Sequence, residues 1–133
     1  MANYHLSAKD IMQVEIATIL ADATVQDAAQ IMRREGVRSL VVLPRDASDP
    51  PGIVTYTDIV YKVLAEGRSV QQTYVFEIMT KPAVAIPPTM KVKYIARLFR
   101  QVNIGHAPVI DGGKLLGIVS MTDLITEVVT ESA

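Results

Sequence analysis

Apolar positions along this chain of 133 residues follow two alternating rhythms, and the whole order of rhythms occurs twice. In VQDAAQIMRR, Val25, Ala28, Ala29 and Met32 recur at the three- and four-residue spacing of one helix face. VKYIARLFRQV repeats the pattern with Val92, Ile95, Ala96 and Phe99, while Leu98 and Val102 widen the stripe. The first helix is expected to end near Gly36, since glycine readily takes the left-handed conformation common after helices. Short apolar runs follow: SLVVL then GIVTY in the first half, HAPVI then LLGIVS in the second. A turn-rich loop joins each pair, so both pairs are expected to form strands. TDIVYKVLAEG and TDLITEVVTE return to helical spacing. A short leading strand is expected over residues 16–20 and again over 83–86, where Pro82, Pro87 and Pro88 confine it to an edge or a terminus. Each half reads strand–helix–strand–strand–helix.

The repeat has a definite register. DIM at Asp10–Met12 returns as EIM at Glu77–Met79, an offset of 67 that also aligns Val25 with Val92 and Val42 with Val109. Beyond Leu43 and Ile110 the offset is 65, because PRDASDPPG is two residues longer than DGGKLLG. Such a length change falls in a loop, where it costs little. The expected organisation is a first repeat over 7–66, a connecting segment over 67–76 and a second repeat over 77–130. The stretch GRSVQQTYVFEIM is expected to carry one helix ending near Met79.

Half the residues are hydrophobic and a fifth are charged, enough for a buried interior. The net charge of −1 and the scattered Lys and Arg argue against a nucleic-acid surface. There is no cysteine, which excludes disulfides, thiolate catalysis and Cys-type zinc sites. No run reaches the length of a spanning helix, and MANYHLSAKD lacks the apolar core of a signal peptide. A soluble, cytoplasmic protein with no membrane contact is expected.

The most specific repeated phrase is GIVTYTDI at 52–59, returning as GIVSMTDL at 117–124. Thr or Ser followed three residues later by Asp can form a capping box at a helix start. Thr57 and Thr122 could instead be the caps, with Asp58 and Asp123 set against the helix dipole. The doubling, behind the same Gly-Ile-Val strand, admits a second reading. A carboxylate there can accept from the neighbouring hydroxyls of a ribose, and Ser or Thr can donate to sugar or phosphate. That set suits a nucleotide without specifying its base. Tyr56 and Met121 share one slot inside the two motifs, so equivalent sites are not assumed. Met12, Met32 and Met79 read as core.

Together with DIM or EIM upstream and the HAPVI run, these motifs resemble the cystathionine-β-synthase (CBS) domain, and the tandem resembles a Bateman module. The resemblance spans about Ser7 to Val129. It implies an α/β (α+β) fold of two βαββα repeats packed through their sheets in a pseudo-twofold disc. It also implies an adenosyl ligand such as AMP, ADP or ATP, with ribose contacts from Thr55 and Asp58 and from Ser120 and Asp123. Base contacts would come from Ile16 and Ala17 and from Ala83 and Val84, and phosphate contacts from Arg38 and His106. Taken on their own, Arg38 and Lys114 read as solvated charges, and His106 reads equally as an ordinary surface or strand-edge histidine. The first repeat departs from the pattern with Val41 in place of Pro108, which bears on the shape of its pocket rim.

Three function classes follow. The first is a regulatory module that binds an adenine nucleotide and signals to a regulated protein by a population shift. The second, a ligand-free adaptor or oligomerisation module, keeps both Asp residues as helix caps. Catalysis has little to stand on, because the chain offers only His5 and His106 as imidazoles and no nucleophile–base set. The resemblance also implies a homodimer, built on the helices after the strands through Ile59, Val63 and Leu64 with Leu124, Ile125, Val128 and Val129; the same side chains read equally as intramolecular core.

Overall fold

In the computed structural model, which describes residues 2–129, capping boxes set the starts of five helices. Helix α1 (Ala8–Ile11) begins where the Ser7 N–H donates to Asp10 Oδ2 at 2.8 Å. After strand β1 (Thr18–Ile19), Thr24 caps helix α2 (Val25–Glu35) by accepting from the Asp27 N–H. As expected, α2 ends at Gly36, whose φ of 67° is left-handed. Strands β2 (Ser39–Val42) and β3 (Gly52–Thr55) follow, then helix α3 (Tyr56–Ile59), which widens into a π-helical turn over Val60–Leu64. Helix α4 (Val75–Ile78) fills the end of the connecting stretch. The second half carries helix α5 (Val92–Val102), strands β4 (His106–Asp111) and β5 (Lys114–Ser120), and helix α6 (Met121–Asp123). Leu124–Val129 then repeats the π-helical turn. Thr130 and Glu131, the end of the expected last helix, lie outside the described residues.

The expected strand pairs form. β1 runs parallel to β2, and β2 antiparallel to β3, giving the order β1-β2-β3. β4 and β5 pair antiparallel. Among the described residues the second half has no counterpart strand to β1, only a parallel bridge from Ile86 to Val109. The cause is chemical: Val41 donates its N–H to the Ala17 carbonyl, whereas its counterpart Pro108 has no N–H to give.

The chain divides into two compact units, and their borders cut across the repeat. One is Ile16–Ala83; the other joins the chain up to Glu15 with the chain from Val84 onward. Within the first, α4 buries Val75 and Ile78 against Val25, Met32 and Val54. Within the second, α1 buries Ala8 and Ile11 against Ile95, Phe99 and Val119. The single-turn helix at the head of each repeat therefore packs on the sheet of the other repeat.

Close backbone approach explains the repeated glycine. A Cβ on Gly117 would stand 2.8 Å from both the Gln13 carbonyl oxygen and Met12 Sδ. A Cβ on Gly52 would stand 3.1 Å from the Thr80 oxygen and 3.2 Å from Met79 Sδ. Glycine is needed at both places for space rather than for an unusual φ. Met12 and Met79 are thus packing residues, as is the fully buried Met32.

Candidate functional site

The two repeated phrases build the same local object. Thr55 is the N-cap of α3: its N–H and Oγ1 both donate to Asp58 Oδ2, at 2.9 and 3.1 Å, and the Asp58 N–H donates back to Thr55 Oγ1. Ser120 and Asp123 reproduce this at α6, with distances of 2.8, 3.0 and 3.2 Å. The caps are therefore Thr55 and Ser120; Thr57 and Thr122 lie inside the first turn and do not cap.

The second oxygen of each carboxylate is engaged differently. Asp58 Oδ1 pairs with the Lys62 ammonium at 3.0 Å, and Lys62 also donates to the Ile78 carbonyl of α4. Asp123 Oδ1 accepts instead from Gln13 Nε2 at 3.0 Å, across 110 residues of sequence. The repeat register accounts for the difference. Gln13 and Thr80 are counterparts, each bridging by its backbone to the Gly-Ile-Val strand, at Ile118 and Ile53. Lys62 has Glu127 as its counterpart, so at Asp123 a neutral amide supplies the donor that a lysine supplies at Asp58. A carboxylate offers about four lone-pair positions. Among the described residues three are used on each Asp, leaving one acceptor position.

Asp123 is buried, and Asp58 is nearly so. Both are held in fixed rotamers by their caps, as a group that receives a ligand must be.

The remaining expected residues divide between the two units. Arg38 is exposed, and its carbonyl accepts from the Tyr56 N–H at 3.0 Å, which sets it beside the start of α3. His106 lies directly across the ladder from Ser120. Its counterpart Ser39, which the sequence reading passed over, is buried and faces Thr55. Ile16 and Ala17 lead into β1, and the Ala17 carbonyl accepts from Val41. Ala83 donates to the Pro51 carbonyl and belongs to the Ile16–Ala83 unit, whereas Val84 begins the other. Both points where the chain passes between units thus fall at the expected base-contact residues. Among the described residues no cluster of His, Cys, Asp or Glu could hold a metal ion, and no helix is long and apolar enough to cross a membrane.

The surface expected to pair with a second chain needs correction. Ile59, Val63 and Val128 are buried within their own units, because they point inward to the sheets. The exposed apolar residues are Tyr56, Val60 and Leu64 after the first motif, and Met121, Ile125 and Val129 after the second. These six are counterparts at the same spacing, four residues apart, on both helices.

Comparison with known proteins agrees with this architecture. The CBS domain matches residues 8–65 and 75–130. The CBS domain-containing protein YhcV of Bacillus subtilis is 33% identical over 128 residues, covering 96% of this chain and 89% of that protein. A hexameric CBS-CP12 protein from bloom-forming cyanobacteria superposes with a TM-score of 0.88 at 48% identity, over 92% of this chain and 68% of that one. A CBS domain protein of Pyrobaculum aerophilum, PAE2072, solved complexed with AMP, shares the fold at 22% identity and a TM-score of 0.79 over 89% of each chain.

Proposed function

The chain belongs to the CBS-domain family as a tandem pair, and from that premise we propose that this regulatory module binds an adenine nucleotide or a related adenosyl ligand. The observation that carries the reading is the doubled capping box, whose fixed carboxylates each keep one acceptor position open. One ribose hydroxyl donates to that position. The second competes for the position held by Lys62 or Gln13. Occupancy therefore loosens Lys62 from Asp58, or Gln13 from Asp123, and so acts on the segment that carries it. That is a differential contact of the kind a population shift requires. The expected partner is a regulated protein, and the paired exposed stripes suit a homodimer formed through them.

A second reading is favoured by one specific observation. Both capping boxes are complete without a ligand, and no buried side-chain polar atom among the described residues lacks a partner. The motifs then serve only as helix starts in an adaptor module.

Thermal unfolding against AMP, ADP, ATP and S-adenosylmethionine, with guanosine nucleotides as controls, separates the readings. A ligand at about a hundred times its Kd adds roughly 2.7 kcal/mol, a shift of several degrees for a chain this size. A shift with one adenosyl compound, lost on Asp58→Ala or Asp123→Ala, supports the sensor. No shift with any compound leaves the adaptor.

A further inference from the structure

Helix α5 carries an outward face of a single sign, and we propose that this face docks an acidic segment of the regulated protein, resting on the functional reading above for the existence of that partner. Between Glu77 and Asp111 the chain has no Asp or Glu, yet it holds Lys81, Lys91, Lys93, Arg97 and Arg100. The last four lie on or beside α5 and are exposed, while Val92, Ile95 and Phe99 are buried in the core of their own unit. Tyr94, 53% exposed, stands between two of these cations: Lys93 Nζ lies 5.8 Å and the Arg97 guanidinium carbon 5.6 Å from its ring centroid. Contacts of this kind hold the ring among the charges. Lys91 is engaged by the His5 carbonyl at 2.8 Å. Among the described residues no carboxylate pairs with Lys93, Arg97 or Arg100.

This face is kept against local preference. Helices α1, α2, α3, α4 and α6 all open on capping boxes with Asp or Glu at the third position. At α5 the corresponding residues are Lys91 and Tyr94, with no side-chain cap and no acid in the first turn. A missing cap and cations at the positive end of the helix dipole both cost stability. Local conflicts of that sort gather where a surface is used.

Charge and spacing select the partner. Lys93, Arg97 and Arg100 follow one another at four and three residues, about 6 and 4.5 Å along the axis. Carboxylates one turn apart on a partner helix match that spacing, with an apolar side chain between them to pack on Tyr94. Three cations on a chain of net charge −1 fall short of the roughly six to ten phosphate contacts of a strong duplex binder. Membrane insertion needs an apolar helix face, and that of α5 is already buried. A second copy meeting this face about a twofold axis would set cation against cation.

Fluorescence anisotropy of a labelled helical peptide, with Glu residues one turn apart and a central Leu, tests this against the whole chain. The same peptide with Gln for Glu, a short DNA duplex and phosphatidylserine–phosphatidylcholine vesicles are the other arms. The Glu peptide is expected to bind, the Gln peptide not, and binding is expected to weaken from about 50 to about 200 mM salt. Lys93→Gln and Arg97→Gln are each expected to weaken it by about two- to fivefold. Lys114→Gln, exposed in the same unit but off this face, is expected to leave it unchanged. All three side chains are exposed, so folding is not at stake. No binding of the Glu peptide at low salt, an equal loss in Lys114→Gln, or tighter binding of duplex or vesicles overturns the proposal. So does a change of sedimentation in Arg97→Gln, which would make the face a contact between copies. Each of these leaves the thermal shifts with adenosyl compounds as they are, whereas peptide binding without any such shift overturns the ligand reading and retains the docking face.

Discussion

Gly117 lies directly beneath Met12, so close that a methyl group on the glycine would sit 2.8 Å from the methionine sulfur and 2.9 Å from its Cγ. The Gln13 carbonyl oxygen comes equally close to that methyl position, at 2.8 Å. Gly117→Ala is therefore expected to destabilise the chain by about 1–3 kcal/mol, the usual cost of overpacking. The same change at Gly52 meets its neighbours at 3.1–3.2 Å and costs less. Urea unfolding of the two variants checks the order; a Gly52→Ala loss exceeding that of Gly117→Ala contradicts it.

Gln13→Ala removes the amide that satisfies one oxygen of a buried carboxylate. The expected loss is about 1–3 kcal/mol. Gln13→Glu sets a second negative charge against Asp123 and is expected to cost more at neutral pH, a difference that shrinks in acid. Equal stability of both variants at pH 7 would show that Gln13 contributes only its backbone bridge to Ile118.

Removing a cap hydroxyl gives a smaller effect. Thr55→Ala and Ser120→Ala each lose the acceptor for the Asp58 or Asp123 N–H and one donor to the carboxylate, at a cost of about 1 kcal/mol. Thr57→Ala and Thr122→Ala, inside the first turn, are expected to be near neutral. Comparable losses at all four positions would contradict the assignment of the caps.

Asp49, in the longer loop of the first repeat, is held down to about 2 by the Lys81 ammonium and then by the Arg45 N–H. A depressed folded-state pKa contributes stability that is present above the unfolded value of about 4 and is lost as pH falls through about 2. Asp10 and Glu77 are lowered as well, chiefly by the Ser7 and Tyr74 N–H groups. Stability is thus expected to fall between pH 4 and pH 2, and Lys81→Met to shallow that fall. An unchanged slope in Lys81→Met excludes the ion pair as a source.

The exposed stripes make a prediction about assembly. Val60→Asp and Ile125→Asp each place a charge in the middle of one stripe. A dimeric wild-type chain is expected to become monomeric in sedimentation velocity, with unchanged helix content. A charged variant that remains dimeric places the interface elsewhere.

Much of this architecture is legible in the residues because local signals agree with it. The stripe in α2, the glycine that ends it and the turn-rich loops before β3 and β5 all act within a few residues. The capping boxes are equally local, and the sequence raises them as one of two readings of Thr-x-x-Asp. Helix α5 shows a limit: it ends at Asn103, with φ 56°, a residue that tolerates the left-handed region without announcing it as glycine does. Ile59, Val63 and Val128 show another, since apolar spacing marks a buried face without saying which surface buries it. The Gln13 donor to Asp123 was out of reach because its partner lies 110 residues away.

The exchange of head helices governs the order in which this chain can fold during synthesis. The Ile16–Ala83 unit is contiguous, so every residue of it has emerged from the ribosome once Ala83 is clear. The segment up to Glu15, made before that unit, must wait for Ile118 and Gly117 before Gln13 and Met12 have a surface to close on. Loop closure of that span slows the second unit relative to the first. A fragment ending at residue 83 is thus expected to fold with its N-terminal segment still loose, whereas one ending at residue 66 loses Val75 and Ile78 from its interior and does not.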